Sequence, residues 1–166
     1  MKTFKGKPVT LLGQARQVGD KAPNFKALNT KLELMGLSDF KTPYVILNVV
    51  PSLDTTVCDR QARSIHTELT ERNDVVVLTI SNDLPFAQAR WCGSAGLSNV
   101  ITLSDHLESD FGMKYGTLIE ELRLLARSVF VLDKNRTIMY VEYVDEMGQH
   151  LNFDELLAFV KKMPKE

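Results

Sequence analysis

The sequence predicts an α/β protein in which a central mixed β-sheet carries helices on both faces. Two runs, 44–50 and 74–80, are almost wholly apolar and rich in β-branched residues, which is typical of strands buried on both faces. Between them, apolar residues recur at helical spacing, which predicts a β-α-β unit with parallel strands. A further pair, 127–132 and 137–143, flanks a short polar turn and predicts an antiparallel hairpin.

Short elements are predicted before the first buried strand. Residues 4–10 predict a small β-hairpin with Gly6 and Lys7 at its turn. Residues 19–25 contain a proline and predict a loop, and residues 28–34 are weakly strand-like.

Two helices are predicted around the second buried strand. The first begins soon after residue 54 and ends at about Glu71. The second spans about 84–92, where Asn82 and Asp83 can cap its first turn and Gly93 can end it.

The remaining elements are shorter or less regular. Residues 99–103 predict a third strand, and Asp105 can cap a helical turn that ends near residue 112. Residues 114–125 are compatible with either a helix or a loop. A C-terminal amphipathic helix should start near Asn152 or Asp154.

Length and composition predict one soluble domain spanning 1–166. The chain has 44% hydrophobic and 25% charged residues, and it carries no internal repeat or low-complexity linker. Its net charge of −1 gives no electrostatic reason to expect nucleic acid or an anionic membrane as a partner. The N-terminus lacks the apolar core of a signal peptide, and no apolar run is long enough to span a bilayer. We therefore expect a cytoplasmic location.

The stretch around Cys58 has the strongest chemical implication. Pro51 ends the first buried strand because it has no N–H to give the ladder. Asp54, Thr55 and Thr56 are good helix caps, which places Cys58 in the first turn of the next helix. Free N–H groups and the positive end of the helix dipole favour an anion there, so the thiolate should be stabilised over the thiol.

Other common chemistries lack support in the sequence. The histidines His66, His106 and His150 are scattered, and neither cysteine has a partner at metal-ligand spacing. The absence of a C-x-x-C motif also counts against an ordinary thioredoxin-type disulfide carrier. No glycine-rich nucleotide loop and no G-x-S-x-G elbow are present. The two thiols are therefore the main candidates for chemistry.

Three residues define the candidate site, and each also has a purely structural interpretation. Cys92 lies on the helix after the second buried strand, 34 residues after Cys58. Arg127 begins a later strand, from which its side chain can reach the Cys58 sulfur and stabilise a thiolate by charge. Alternatively, both cysteines are small buried core residues and the arginine forms a surface ion pair.

Several motifs in the sequence resemble those of one family. The pattern Pro51-x-x-x-Thr55-x-x-Cys58 matches the peroxiredoxin signature P-x-x-x-(T/S)-x-x-C. Residues 83–93 and 96–104, and the segment 125–129 around Arg127, resemble the bacterial thiol peroxidase subfamily, an atypical two-cysteine group of peroxiredoxins.

This resemblance implies a fold, an activity and partners. The implied fold is thioredoxin-like with an N-terminal β-hairpin, and the implied assembly is a homodimer. The implied activity is antioxidant reduction of hydrogen peroxide and organic hydroperoxides with electrons from thioredoxin. No metal, haem or flavin cofactor is implied.

The resemblance also assigns roles to individual residues. Cys58 would be the peroxidatic cysteine, and Cys92 the resolving cysteine that forms a disulfide with it within one chain. Thr55 would hydrogen-bond the peroxide, Arg127 would hold thiolate and substrate, and Pro51 would form an apolar wall. A disulfide needs Cα atoms within roughly 4.4–6.8 Å, so we expect one or both helix ends to unwind in each turnover.

Two other classes of protein stay open from the sequence alone. One is a thioredoxin-like interaction module whose cysteines are inert core residues. The other is a dithiol–disulfide oxidoreductase that acts on proteins. Thiol reactivity separates the first from a peroxidase, and peroxide consumption separates the second.

Overall fold

The computed structural model describes residues 1–69, 72–96 and 100–166. Two sequence predictions, a first helix ending at Glu71 and a third strand beginning at Asn99, rest partly on residues outside these ranges. The helices are α1 (Thr56–Leu69), α2 (Pro85–Ala95), α3 (Asp110–Tyr115) and α4 (Phe153–Lys162), with a 3₁₀ turn at Leu37–Asp39. The strands are β1 (Lys2–Phe4), β2 (Lys7–Val9), β3 (Leu11–Leu12), β4 (Ala27–Leu28), β5 (Leu34–Met35), β6 (Tyr44–Val49), β7 (Val75–Ser81), β8 (Ile101–Ser104), β9 (Leu118–Ile119), β10 (Ser128–Leu132) and β11 (Ile138–Tyr143).

The central sheet is mixed, as the sequence predicts. Its strand order is β11-β10-β6-β7-β8-β4-β5. Strands β6, β7 and β8 run parallel, while β10 pairs antiparallel with both β6 and β11. The two apolar runs therefore form the neighbouring central strands β6 and β7, which places the ends of both beside the cysteine-bearing turn.

Both faces of the sheet are covered by helices. The side chain of Ile46 packs in a cluster with residues of α1 and α4, whereas that of its neighbour Leu47 packs with residues of α3. This alternation along one strand explains why the strand is apolar throughout. None of the described helices is long and apolar enough to cross a membrane.

The N-terminal hairpin is present, but its turn is one residue earlier than predicted. Strands β1 and β2 pair so that Phe4 lies opposite Lys7, which makes Lys5 and Gly6 the turn residues. Their φ angles are 50° and 76°, and a type I′ hairpin turn needs a positive φ at both central positions. Placing Gly6 and Lys7 at the turn was therefore wrong.

The segment 28–34, predicted as a weak strand, is a second hairpin. Strands β4 and β5 pair antiparallel, and β4 also pairs with β8. The Asn29 side-chain oxygen accepts hydrogen bonds from the backbone N–H groups of Lys31 and Glu33, at 2.9 and 3.0 Å. These side-chain bonds of Asn29 stabilise a turn that reverses the chain, where the apolar pattern had predicted one continuous strand.

Helix α2 differs from the prediction at both ends. It continues through Gly93 to Ala95, and Gly96 ends it in the left-handed conformation with φ of 65°. At its start, Leu84 occupies the capping position without a side-chain bond, and Pro85 is the first helical residue. Neither predicted capping residue, Asn82 or Asp83, caps this helix.

The segment that was ambiguous in sequence contains the end of α3 and strand β9. Ser109 is the N-cap residue of α3, and Asp105 accepts from the first-turn N–H groups of Phe111 and Gly112, at 2.9 and 2.8 Å. The helix runs on to Tyr115. At the C-terminus, α4 begins at Phe153, near the predicted position, and the Asn152 side chain caps it by accepting from the N–H of Glu155.

Candidate active site

The turn between β6 and α1 positions Cys58. The backbone N–H of Val50 gives the last bond to β7, and the buried Pro51 follows it. Thr55 lies just before α1, and its hydroxyl oxygen accepts from the N–H of Cys58 at 3.4 Å. Cys58 is thus the third residue of α1, in the first turn where N–H groups have no intrahelical partner.

Asp83 fixes this turn from the end of β7. One carboxylate oxygen accepts from the Ser52 hydroxyl at 2.7 Å, and the other accepts from the N–H of Leu53 at 2.8 Å. The Ser81 hydroxyl donates to that second oxygen at 2.8 Å. The aspartate that was predicted to cap α2 therefore holds the cysteine turn in place.

Arg127 lies directly before β10 and donates through three guanidinium nitrogens to three different groups. Its Nη2 donates to the Cys58 sulfur at 3.0 Å, and its Nη1 donates to Gln61 Oε1 at 2.7 Å. Its Nε donates to the Met147 carbonyl at 3.0 Å. The side chain is fixed in place because two of its bonds go to residues of α1 and the third goes to Met147, in the segment between β11 and α4.

The charge of Arg127 is buried. The residue is 2% exposed, and its partners in the described part of the chain are a sulfur, an amide oxygen and a carbonyl, none of them a carboxylate. A buried unpaired cation is costly by several kcal/mol, so the site favours an anion at the contacting atom. The Cys58 sulfur is the atom in that position that can carry a negative charge.

A chain of hydrogen bonds extends from Arg127 beneath α1. Gln61 Nε2 donates to the side-chain oxygen of Asn48, and Asn48 Nδ2 donates to the Thr79 hydroxyl at 3.1 Å. The Thr79 oxygen lies 3.3 Å from Nε2 of His66. Because Thr79 already accepts from Asn48, its proton is free to go to an unprotonated His66 nitrogen.

Acid should weaken this arrangement through His66. Burial lowers the pKa of His66 from 6.5 to about 4, so the unfolded chain takes up this proton more readily than the folded one. The contribution of neutral His66 to the free energy of unfolding is therefore fully present above pH 6.5. It falls by about 2–3 kcal/mol as the pH drops towards 4. Urea unfolding across this range should show a smaller loss in His66→Gln, which cannot titrate. Identical pH profiles for the two proteins would contradict this account.

The Cys58 side chain is enclosed, while the turn beside it is not. Cys58 is 0% exposed and packs with Val50, Leu53, Ala62 and Trp91. The three residues before Val57, numbered 54–56, are exposed. A small molecule that reaches the sulfur must therefore pass the exposed first turn of α1.

Cys92 occupies a different environment on α2. Its sulfur lies 3.8 Å from the Thr102 hydroxyl, and burial raises the pKa of this thiol. The residue lines an open groove of about 280 Å³ together with Asn29 and Ala89. Both cysteines are free thiols in this structure. The fold thus brings Thr55, Cys58 and Arg127 together, with the buried Pro51 in the turn before them, and places Cys92 on the neighbouring helix.

Sequence reasoning missed the residues that hold these groups. Asn48 has a signal, since it is a polar residue inside an otherwise apolar strand. Gln61 also has a signal, because it follows Cys58 by three residues. Residues at that spacing lie on the same face of a helix. Asp83 and Met147 have no such signal, since their contacts with this site depend on how distant segments pack.

The family follows from comparison with known proteins. A family model described as Redoxin matches residues 17–157, so the chain belongs to the redoxin family. Its fold resembles that of a peroxiredoxin-like protein from Aquifex aeolicus, with a TM-score of 0.89, 36% identity and coverage of 97% and 95% of the two chains. The thiol peroxidase from Chromobacterium violaceum shares the fold with a TM-score of 0.88 at 19% identity over 97% and 95%. The predicted thioredoxin-like peroxiredoxin fold is confirmed.

The chain's relatives narrow this assignment. It is 52% identical to the thiol peroxidase of Bacillus subtilis over 163 residues, which cover 98% of each chain. It is 49% identical to the thiol peroxidase of Streptococcus pneumoniae over 163 residues, which cover 98% of this chain and all of the relative. Within the redoxin family, the chain belongs to the thiol peroxidases.

Proposed function

We propose that this protein reduces hydrogen peroxide and organic hydroperoxides, and that Cys58 is the residue that attacks them. The observation that carries this proposal is the 3.0 Å bond from the buried Arg127 guanidinium to the Cys58 sulfur. Only a thiolate attacks a peroxide effectively, and this contact favours the thiolate by charge. The first-turn N–H groups of α1 act in the same direction.

In the first step, the Cys58 sulfur takes up one peroxide oxygen. The thiolate attacks that oxygen, the O–O bond breaks, and water or an alcohol leaves after taking up a proton. Negative charge moves from sulfur to the leaving oxygen, so donors already fixed at the site stabilise the transition state. Arg127 is one of those donors. The Thr55 hydroxyl donates to the Ser52 carbonyl at 3.2 Å in this structure and would turn to the peroxide to act as the second. The buried Pro51 limits access of water.

In the second step, Cys92 resolves the oxidised Cys58. A sulfenic acid condenses with a nearby thiol to form a disulfide. Cys92 lies on α2 against the cluster that encloses Cys58, which makes it the available thiol of the same chain. The groove beside Cys92 would then admit the reducing thiol of thioredoxin, which returns both cysteines to the reduced state.

The structure disfavours the two other classes that the sequence left open. An inert core cysteine would be a neutral thiol, which would leave the buried charge of Arg127 uncompensated. That arrangement would destabilise the fold, so the contact argues against an inert cysteine. A protein disulfide cannot reach Cys58 in this conformation, since the residue is 0% exposed, whereas a small peroxide needs only a narrow path.

Replacing Cys92 with serine should separate the two steps. We expect Cys92→Ser to consume about one peroxide per chain and then to stall or overoxidise, because no thiol remains to resolve Cys58. The measurement is peroxide consumption without reductant, followed by thioredoxin-linked turnover. Undiminished thioredoxin-dependent cycling would mean that Cys92 is not the resolving cysteine.

We also propose that the protein forms a homodimer. At the start of α2, Leu84 and Phe86 are 52% and 68% exposed, and they supply apolar surface that a second copy could cover. Sedimentation at several protein concentrations tests this proposal. A mass of one chain at all of them would contradict it.

A further inference from the structure

A cluster of side chains joins α1 to α2 beside both cysteines. Asp59 directly follows Cys58, and it accepts from the Trp91 indole N–H at 2.7 Å. The Arg63 Nε lies 2.8 and 2.9 Å from the two oxygens of the same carboxylate. The Arg63 guanidinium also lies 5.9 Å from the centroid of the Trp91 ring. We call Asp59, Arg63 and Trp91 the helix latch.

The helix latch holds both sides of Cys92. Trp91 directly precedes Cys92, and the Arg63 Nη1 donates to the carbonyl of Ala95 at 3.4 Å. That carbonyl belongs to the last residue of α2, and the last carbonyls of a helix are in general not satisfied within the helix itself. The α2 turn that carries Cys92 is therefore tied to α1 at its start and at its end.

This turn of α2 has a low intrinsic helix propensity. Gly93 and Ser94 follow Cys92 inside the helix, and both are poor helix formers in that position. The space around Gly93 is open: apart from its chain neighbours and its own helix backbone, no atom of the described residues lies within 4 Å of where a Cβ would be. Tertiary contacts such as the helix latch must therefore supply much of the stability of this turn.

The two sulfurs are held apart in the reduced protein. The Cys58 sulfur is bound by Arg127 beside β10, while the Cys92 sulfur lies against Thr102 of β8. Strands β10 and β8 are separated by β6 and β7, which is three strand spacings or about 14 Å. A disulfide needs Cα atoms within about 4.4–6.8 Å, so we expect at least one of the two helical turns to leave its place when the bond forms.

We propose that the helix latch sets the rate at which Cys92 reaches oxidised Cys58, which makes Asp59, Arg63 and Trp91 positioning residues for the second half of the reaction. This inference rests on the proposed function. In the step concerned, the Cys92 thiolate attacks the sulfenic sulfur of Cys58. The S–S bond forms, the S–O bond breaks, and the hydroxide leaves as water with the proton that Cys92 gave up.

The same latch sets sensitivity to excess peroxide. While the latch is closed, the Cys58 sulfenic acid persists, and a second peroxide can oxidise it to the sulfinic acid. Opening of the latch competes with that second oxidation. A tighter latch gives more overoxidation at a given peroxide concentration, and a looser one gives less.

Two variants weaken the latch without removing a hydrogen bond of the Cys58 sulfur. Arg63→Ala removes the ion pair and the bond to Ala95, and Trp91→Phe keeps an aromatic ring while removing the N–H donor. Arg60→Ala is the matched control, because Arg60 is an exposed arginine on the same helix. Each reduced protein is mixed with hydrogen peroxide, quenched with an alkylating agent at timed intervals, and analysed by peptide mass.

In both variants we expect the peroxide-independent step that forms the disulfide to be about five to ten times faster than in the wild type. The peroxide-dependent oxidation of Cys58 should stay within twofold. The peroxide concentration that overoxidises half of Cys58 should rise by the same factor as the disulfide step. Arg60→Ala should match the wild type in all three measurements.

Two further variants distinguish a latch from general loss of stability. The double variant of Arg63 and Trp91 should gain less than the product of the single effects, because both side chains bind Asp59. Arg63→Lys keeps the charge but lacks the fork that spans Asp59 and Ala95, so its rate should lie between wild type and Arg63→Ala.

The outcomes separate this inference from the proposed function. If the wild type forms the Cys58–Cys92 disulfide but neither variant forms it faster, the latch is overturned and the proposed function stands. The latch is also overturned if the oxidation of Cys58 accelerates in parallel with the disulfide step. A wild type that forms no such disulfide overturns the proposed function and the latch together.

Discussion

Replacing Arg127 with methionine is expected to slow the oxidation of Cys58 by hydrogen peroxide about 100- to 1,000-fold. The change removes the guanidinium that donates to the Cys58 sulfur and keeps a side chain of similar length. Loss of one fixed donor to developing charge typically costs about 2.7–4 kcal/mol of transition-state stabilisation. Here the same group also supplies the positive charge that favours the thiolate, so the effect should reach that range.

Two variants control the Arg127 experiment. Arg60→Met removes an exposed arginine of α1 and should leave the rate unchanged. Arg127→Lys keeps the charge but cannot serve Gln61, Met147 and Cys58 at once, so its rate should be intermediate. Stopped-flow oxidation of the reduced proteins gives the second-order constants. An Arg127→Met constant within threefold of wild type would contradict the role assigned to the guanidinium.

Replacing Cys58 with serine is expected to abolish peroxide turnover. A serine hydroxyl is not ionised near neutral pH, and no other described thiol is bonded to a guanidinium. Peroxide consumption by the reduced variant should be indistinguishable from a protein-free blank. Cys92→Ser is the matched control, since it should still consume about one peroxide per chain. Thioredoxin-dependent turnover by Cys58→Ser would rule out the assignment of Cys58.

The same substitution should affect stability. With a neutral hydroxyl in place of the sulfur, Arg127 loses the atom that can carry the opposing charge, and we expect a cost of about 1.5–3 kcal/mol. Adding Arg127→Met should recover part of that loss, because it removes the uncompensated charge. Urea unfolding of the two single variants and the double variant measures the coupling between the residues. Strictly additive losses would mean that the sulfur does not compensate the arginine.

The parts of the fold that depend on local pattern were predictable. The runs at 44–50 and 74–80 are apolar throughout, and strands covered on both faces bury all of their side chains. These runs form β6 and β7. Pro51 and the cap candidates at 54–56 predicted the start of α1, and so put Cys58 in its first turn; Thr55 is the candidate whose side chain accepts from a first-turn N–H. The assignment of 1–166 as one domain, the cytoplasmic location and the homodimer stay predictions.

The parts that depend on distant contacts were not predictable. Asp83 precedes a helix, and such a residue usually caps it, but the N–H of Leu53 and the hydroxyl of Ser52 take the carboxylate instead. Asp59 and Trp91 are 32 residues apart, and only the packing of α1 against α2 brings them together. A local sequence pattern predicts a helix or a strand. The hydrogen-bond partner of a buried polar group depends on how distant segments pack in the folded protein.

Our central claim is that peroxide oxidises Cys58 and that Cys92 of the same chain then captures it. The most direct measurement adds one equivalent of hydrogen peroxide to reduced protein and maps the linked cysteines by peptide mass. A mixture of isotopically light and heavy chains would show whether each bond lies within one chain. We expect consumption of one peroxide and a disulfide between Cys58 and Cys92 of the same isotopic label. A Cys58 that remains a free thiol after the peroxide is consumed would contradict the account.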